Sequence, residues 1–198
     1  MKTSKGAKNF NPEQTRVIDQ CVDVLKKDGL MLYLTDTVWC IGCDATNPKA
    51  VNGAYHLKKR SDRALTCLVA DQAMLERHVE KVPDAAYDII DFATKPITII
   101  YDSPKDIAKN LITNNTLAIR VASDTFCRYL INTFKKPIVA TPANSYGSTV
   151  PRLLSDITPE ILKGVDYVVN LQEKEPKNTP PPSIIKLGND GTVKVIRE

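Results

Sequence analysis

Long apolar runs are missing from this sequence of 198 residues: the longest, such as Ile97 to Tyr101, are strand-sized, whereas a membrane-crossing helix needs about 20 apolar residues in succession. No apolar stretch follows the three lysines between Met1 and Asn9, so a secretory leader of the usual pattern is not expected. Both absences predict a soluble, cytoplasmic protein with no membrane contact. Histidine is scarce: His56 and His78 are the two in the chain, and their spacing supports neither a zinc ligand pair nor a Ser-His-Asp arrangement. No Gly-rich phosphate loop of either familiar spacing occurs. The five cysteines are an odd number, which favours reduced thiols over a disulfide framework. Excess charge is also small, +4 from 27 basic and 23 acidic residues, which permits a phosphate or RNA partner without demanding one.

What is present is a globular composition, 42% apolar and 25% charged, in a chain long enough to bury roughly 70% of its unfolded surface without a disulfide or structural metal. Asn11-Pro12-Glu13-Gln14 reads as a capped helix start, followed by Val17, Ile18, Cys21, Val22 and Leu25 at helical spacing up to Asp28-Gly29. Leu30 to Leu34 reads as a buried strand, and Asn47-Pro48 opens a second helix that ends in Lys58-Lys59-Arg60. Further strands are expected at 65–69, 97–101, 116–121, 137–140, 167–169, 183–187 and 192–196, and helices at 71–79, 83–93, 124–134 and 158–162. This alternation predicts an α/β fold, α+β in stricter schemes: a single domain with a twisted sheet flanked by helices. Leu187-Gly188-Asn189-Asp190-Gly191-Thr192 reads as a hairpin turn, so the sheet should mix parallel and antiparallel pairs. Glu173 to Pro182, with four prolines, reads as a loop or lid, because too few residues follow it to build another domain.

Several segments could carry chemistry. Thr35-Asp36-Thr37 follows a strand, where ligands of open α/β sheets gather, although a turn satisfying its own backbone is the competing reading. Lys58 and Arg60 combine a compact cation with a planar fork, suited to a polyphosphate or carboxylate; a solvated helix end is the plainer alternative. Arg120 lies within the apolar strand Leu117 to Val121, where a guanidinium is costly to bury unless an anion or structural carboxylate pairs with it. Thr141 to Gly147 again follows a strand and is rich in small polar groups. Cys40-Ile41-Gly42-Cys43 has redox spacing but reads as a loop entering a strand, with the thiols structural; a thiol enzyme is the third functional option.

Together these segments resemble the YrdC-like family. Leu34-Thr35-Asp36-Thr37-Val38-Trp39-Cys40-Ile41-Gly42 matches the family's opening motif, Lys58-Lys59-Arg60 its Lys-x-Arg, and Arg120 its strand arginine. Thr141-x-Ala143-Asn144 with Gly147 matches its Ser-Thr-Ser-Ala-Asn-x-Ser-Gly, Pro182-Ser183 its Pro-Ser-Thr, and Arg197 its closing arginine. The resemblance covers residues 13–198, leaving 1–12 as an N-terminal extension, and implies a concave basic cleft. It further implies an L-threonylcarbamoyladenylate synthase, which joins L-threonine, bicarbonate and ATP into threonylcarbamoyl-AMP and pyrophosphate for tRNA modification, with tRNA threonylcarbamoyl-transfer proteins as partners.

Residue by residue, the resemblance implies catalytic roles for Lys58 and Arg60. Thr35, Arg60, Arg120 and Ser183 are implied on threonine and bicarbonate, and Lys58, Thr141, Asn144 and Arg197 on ATP. Magnesium is expected to arrive with ATP, without a protein metal site. The chain departs from the family pattern at Leu34, Cys40, Ala140, Pro142, Tyr146 and Ile184, among others. Each hydroxyl so lost forfeits about 1 kcal/mol, enough in combination to weaken nucleotide binding by roughly one to two orders of magnitude. The alternative function is therefore a catalytically weak, YciO-like paralogue that binds double-stranded RNA or a nucleotide.

Overall fold

A computed structural model describes residues 10–59, 65–145, 147–170 and 181–198. Arg60, Tyr146 and nearly all of the expected lid at 173–182 lie outside the described residues, as does the lysine-bearing start.

Helix α1 (Pro12–Lys26) begins where its capping residues require. Asn11 accepts from the Gln14 amide at 2.8 Å while Gln14 accepts from the Asn11 amide at 3.1 Å, so two otherwise orphaned donors are satisfied reciprocally. Its stripe of Val17, Ile18, Cys21, Val22 and Leu25 is buried, as the periodicity predicted. Strand β1 (Met31–Leu34) follows, then β2 (Trp39–Gly42), α2 (Pro48–Leu57), β3 (Thr66–Val69), α3 (Gln72–His78), α4 (Asp84–Phe92), β4 (Ile97–Asp102), β5 (Thr116–Val121) and α5 (Thr125–Phe134). The chain continues through β6 (Ile138–Pro142), α6 (Pro159–Gly164), β7 (Tyr167–Val168), β8 (Ser183–Leu187) and β9 (Val193–Arg197). Helix α1 packs on α5, whose buried Phe126, Cys127, Leu130, Ile131 and Phe134 complete that part of the core.

The strands form one mixed sheet in the order β7-β1-β2-β6-β3-β5-β4-β8-β9. β1–β7, β3–β5 and β4–β8 are parallel, and the other neighbouring pairs are antiparallel. The 187–192 turn joins the antiparallel pair β8–β9, as its composition predicted.

One expectation needs correction. Cys40-Ile41-Gly42 is not a loop entering a strand: it is most of β2, hairpin-paired to β1 with Leu34 opposite Trp39 and Met31 opposite Gly42. All four β2 residues are buried, so the segment lacks the apolar–polar alternation that marks a half-exposed strand. Its glycine is a packing requirement, because a Cβ at Gly42 would lie 2.5 Å from the Tyr33 ring, and that ring is tethered through its hydroxyl to the Val139 carbonyl at 3.0 Å.

Candidate functional site

A cavity of about 400 Å³ lies against one face of this sheet. Seven consecutive strands each place side chains there: Cys40 of β2, Ala140 and Pro142 of β6, Thr66 of β3, Arg120 of β5, Thr98 of β4, Ile184 of β8 and Arg197 of β9. Strand register explains the convergence. Ile99 stands opposite Ile119, so Thr98 follows opposite Arg120; Thr98 is level with Ile184, and Ile184 with Arg197. Arg120 and Arg197 thus lie in one cross-strand row, with backbones about 14 Å apart by the spacing of neighbouring strands. The hairpin loop contributes Thr37 and Val38, and the segment after β6 brings Thr149, Val150 and Arg152. Three guanidinium groups and no carboxylate line the cavity among the described residues, a composition that favours anions.

Arg120 is the most buried of the three. Its Nη2 lies 3.2 Å from Asp36 Oδ1, with side-chain exposures of 5% and 14%, and its Nη1 donates to Thr37 Oγ1 at 3.4 Å. Its Nε is buried and has no acceptor among the described residues. A buried donor left unsatisfied costs about 1–3 kcal/mol. Asp36 in turn accepts a 2.6 Å hydrogen bond from the Ser123 hydroxyl just beyond β5. Of the two readings the sequence left open for Arg120, both hold: a structural carboxylate pairs with it, and its strand face opens on a cavity.

The other candidates are placed differently. Thr35 shapes the β1–β2 loop: its hydroxyl accepts from the Thr37 and Val38 amides at 3.2 and 3.3 Å and pairs with Thr37 Oγ1 at 3.0 Å. Thr37, not Thr35, reaches the cavity. Thr141 and Ser183 do not line it either, because Ala140, Pro142 and Ile184 do, and neighbouring residues in a strand face opposite sides. Two of the departures from the family's serines, Ala140 and Pro142, are therefore cavity-facing.

Lys58, at the end of α2, is 2% exposed. Its ammonium donates to the carbonyls of Pro142 and Asn144 and to the Asn144 side chain, the last two at 2.7 and 3.3 Å. Asn144 also donates to the Ser148 carbonyl at 2.7 Å. Lys58 and Asn144 therefore meet each other at the end of β6, beside Pro142. Arg197 lines the cavity and is held by the Pro182 carbonyl, through Nε at 3.2 Å and Nη2 at 2.6 Å.

Sequence reasoning missed Arg152, Thr66 and Thr98. No motif marked them; for the two threonines, only the register showed that they share a face with Arg120. Cys40 reaches the cavity, but burial pushes its thiol up to about 11, against a smaller lowering by the Arg120 charge. At neutral pH it is protonated and a poor nucleophile. Burial also pushes Cys21 and Cys67 up to about 12.

The family model Sua5/YciO/YrdC, described as telomere recombination, matches residues 23–198. This chain belongs to that family. Among its relatives, a protein of Methanocaldococcus jannaschii is 29% identical over 185 residues, 92% of this chain and 86% of its own. The threonylcarbamoyl-AMP synthase of Hahella chejuensis is 32% identical over 154 residues, 76% of this chain and 83% of its own. Among solved structures, E. coli YciO superposes with a TM-score of 0.80 at 24% identity, over 95% of this chain and 91% of its own. P. abyssi Sua5 complexed with L-threonine superposes with a TM-score of 0.81 at 19% identity, over 95% of this chain and 55% of its own. This family member thus spans about half of the Sua5 chain and most of YciO. At these identities the superpositions establish the Sua5/YciO fold.

Proposed function

We propose that this family member is an L-threonylcarbamoyladenylate synthase: the L-threonine amine condenses with bicarbonate, losing water, and the carbamate formed attacks the α-phosphorus of ATP to release pyrophosphate. Relatives bearing the synthase name and a P. abyssi Sua5 structure holding L-threonine support the reaction class. The observation on this chain that carries it is the cross-strand row that brings Arg120 and Arg197 to one cavity, lined also by a third arginine, Arg152. The reaction brings a carboxylate, a carbamate and a triphosphate together, and such mutually repelling anions need fixed cations set in advance.

In this reading Arg120 takes the threonine carboxylate, and Arg197 and Arg152 take the phosphates of MgATP. Arg60, following Lys58, completes the cation set on the bicarbonate-derived group. Asn144, with Lys58 against it, shapes the loop that bounds the nucleotide side; Thr35 sets the hairpin loop that presents Thr37. The work is cytoplasmic tRNA modification, with threonylcarbamoyl-transfer proteins and tRNA receiving the product. Pyrophosphate release that requires both threonine and bicarbonate tests it, and release independent of either refutes it.

Ala140 and Pro142 favour a second reading, because both hydroxyl losses fall on the cavity side. A YciO-like chain of this kind would bind a nucleotide or double-stranded RNA without turnover. Nucleotide binding with no pyrophosphate release, or RNA affinity that falls steeply with salt, would select it.

A further inference from the structure

Arg120 can serve as an anion receptor only if its guanidinium is held in one orientation, and the structure contains a brace that does so. A free arginine side chain loses rotamer entropy when a ligand orders it, a cost that prior positioning removes. Here Nη2 is fixed by Asp36 and Nη1 by Thr37, from the same four-residue loop between β1 and β2. Asp36 is fixed by Ser123, which lies three residues beyond Arg120 on the chain leaving β5. The chain of contacts Arg120–Asp36–Ser123 thus ties the hairpin loop to the end of the strand that carries the arginine. Asp36 does not line the cavity, and Ser123 is exposed, so neither touches a ligand there.

We propose that Asp36, anchored by Ser123, is the positioning residue that orients Arg120 to receive a carboxylate. The pair also tempers the receptor: one carboxylate against one guanidinium leaves little net charge, so selectivity rests on the fixed orientation of the fork and not on bare cation strength. A positioned fork recognises planar carboxylates selectively, whereas a loose arginine attracts any anion. The identity of the carboxylate as that of L-threonine rests on the proposed synthase function; the brace itself does not.

Two readouts separate those claims. The first needs no ligand: the Nε–Hε signal of Arg120 in a nitrogen-15 correlation spectrum, assigned by its loss in Arg120→Lys. Ser123→Ala and Asp36→Asn are expected to speed its exchange with water by about tenfold or more, equivalent to about 1.4 kcal/mol of lost protection. Unchanged exchange in both variants overturns the brace. The second compares L-threonine with L-threoninamide, which lacks the carboxylate, by calorimetric titration. The wild type should favour threonine, and Ser123→Ala should shrink that preference several-fold while leaving ATP affinity unchanged; an equal loss for both compounds means a merely structural serine and overturns the positioning role. A wild type that binds neither compound refutes the synthase reading, while the exchange measurement still decides the brace.

Discussion

Replacing Lys58 by methionine tests whether the loop after β6 depends on a buried cation. The ammonium, 2% exposed with its residue, donates to the Pro142 and Asn144 carbonyls. Methionine fills similar volume but donates nothing, so the carbonyls must find water or go unpaired. Hydrogen bonds to a charged donor contribute about 1.5–3 kcal/mol each. Asn144 is only partly buried, and water replaces part of what is lost there. A net destabilisation of about 3 kcal/mol follows, which for a chain of this size lowers Tm by about 6 to 12 °C. The loop that brings Thr149, Val150 and Arg152 to the cavity should loosen with it, raising hydrogen exchange in a peptide covering 142–150 and weakening ATP binding. Lys59→Met is the control: its partner Glu160 is 3.0 Å away but both side chains are more than half exposed, and such pairs contribute about 0–1 kcal/mol. A Lys58→Met protein that melts within about 2 °C of the wild type, with unaltered exchange in that peptide, refutes the reasoning.

Arg120→Met should abolish threonine-dependent pyrophosphate release and destabilise the fold. The cost should fall toward the lower end of the roughly 3–5 kcal/mol for breaking a buried pair, because Asp36 keeps Ser123 and some solvent; thermal melts and the release assay measure both. Gly42→Ala should cost about 1–3 kcal/mol by overpacking, since the new methyl would meet the tethered Tyr33 ring at 2.5 Å; a melt no lower than wild type contradicts this. Asn11→Ala should cost about 1 kcal/mol through loss of the α1 cap, read as a small fall in Tm. Cys40→Ala should retain pyrophosphate release, and alkylation of the Cys40 thiol should keep rising with pH beyond 9 toward about 11, because its burial opposes the thiolate; loss of activity in the alanine variant would restore the thiol-enzyme option.

Local codes were readable wherever neighbours in sequence decide the conformation. The Asn11 and Asn47 caps, the α1 stripe and the 187–192 hairpin each depend on side chains within a few residues of one another, and each appears where the sequence places it. Strand β2 escaped because burial on both faces removes the alternation that periodicity detects. At the site, Arg120 stood out because an arginine inside an apolar strand is costly without a partner. Thr66, Thr98 and Arg152 carried no such anomaly. Thr141 and Ser183 were implied by motif position, yet strand alternation places their cavity-lining neighbours on the face in question.

The linear chain therefore specifies the helices and the strands other than β2, that the sheet is mixed, and that a buried arginine needs an anion, because these follow from propensity, pattern and solvation along a single stretch of backbone. Register belongs to the folded molecule alone. A one-residue slip in strand pairing turns every side chain to the opposite face, so only the assembled sheet could decide that Arg120, Thr98, Ile184 and Arg197 share a row, that Asp36 and Ser123 close behind Arg120, and that Lys58 turns to the end of β6.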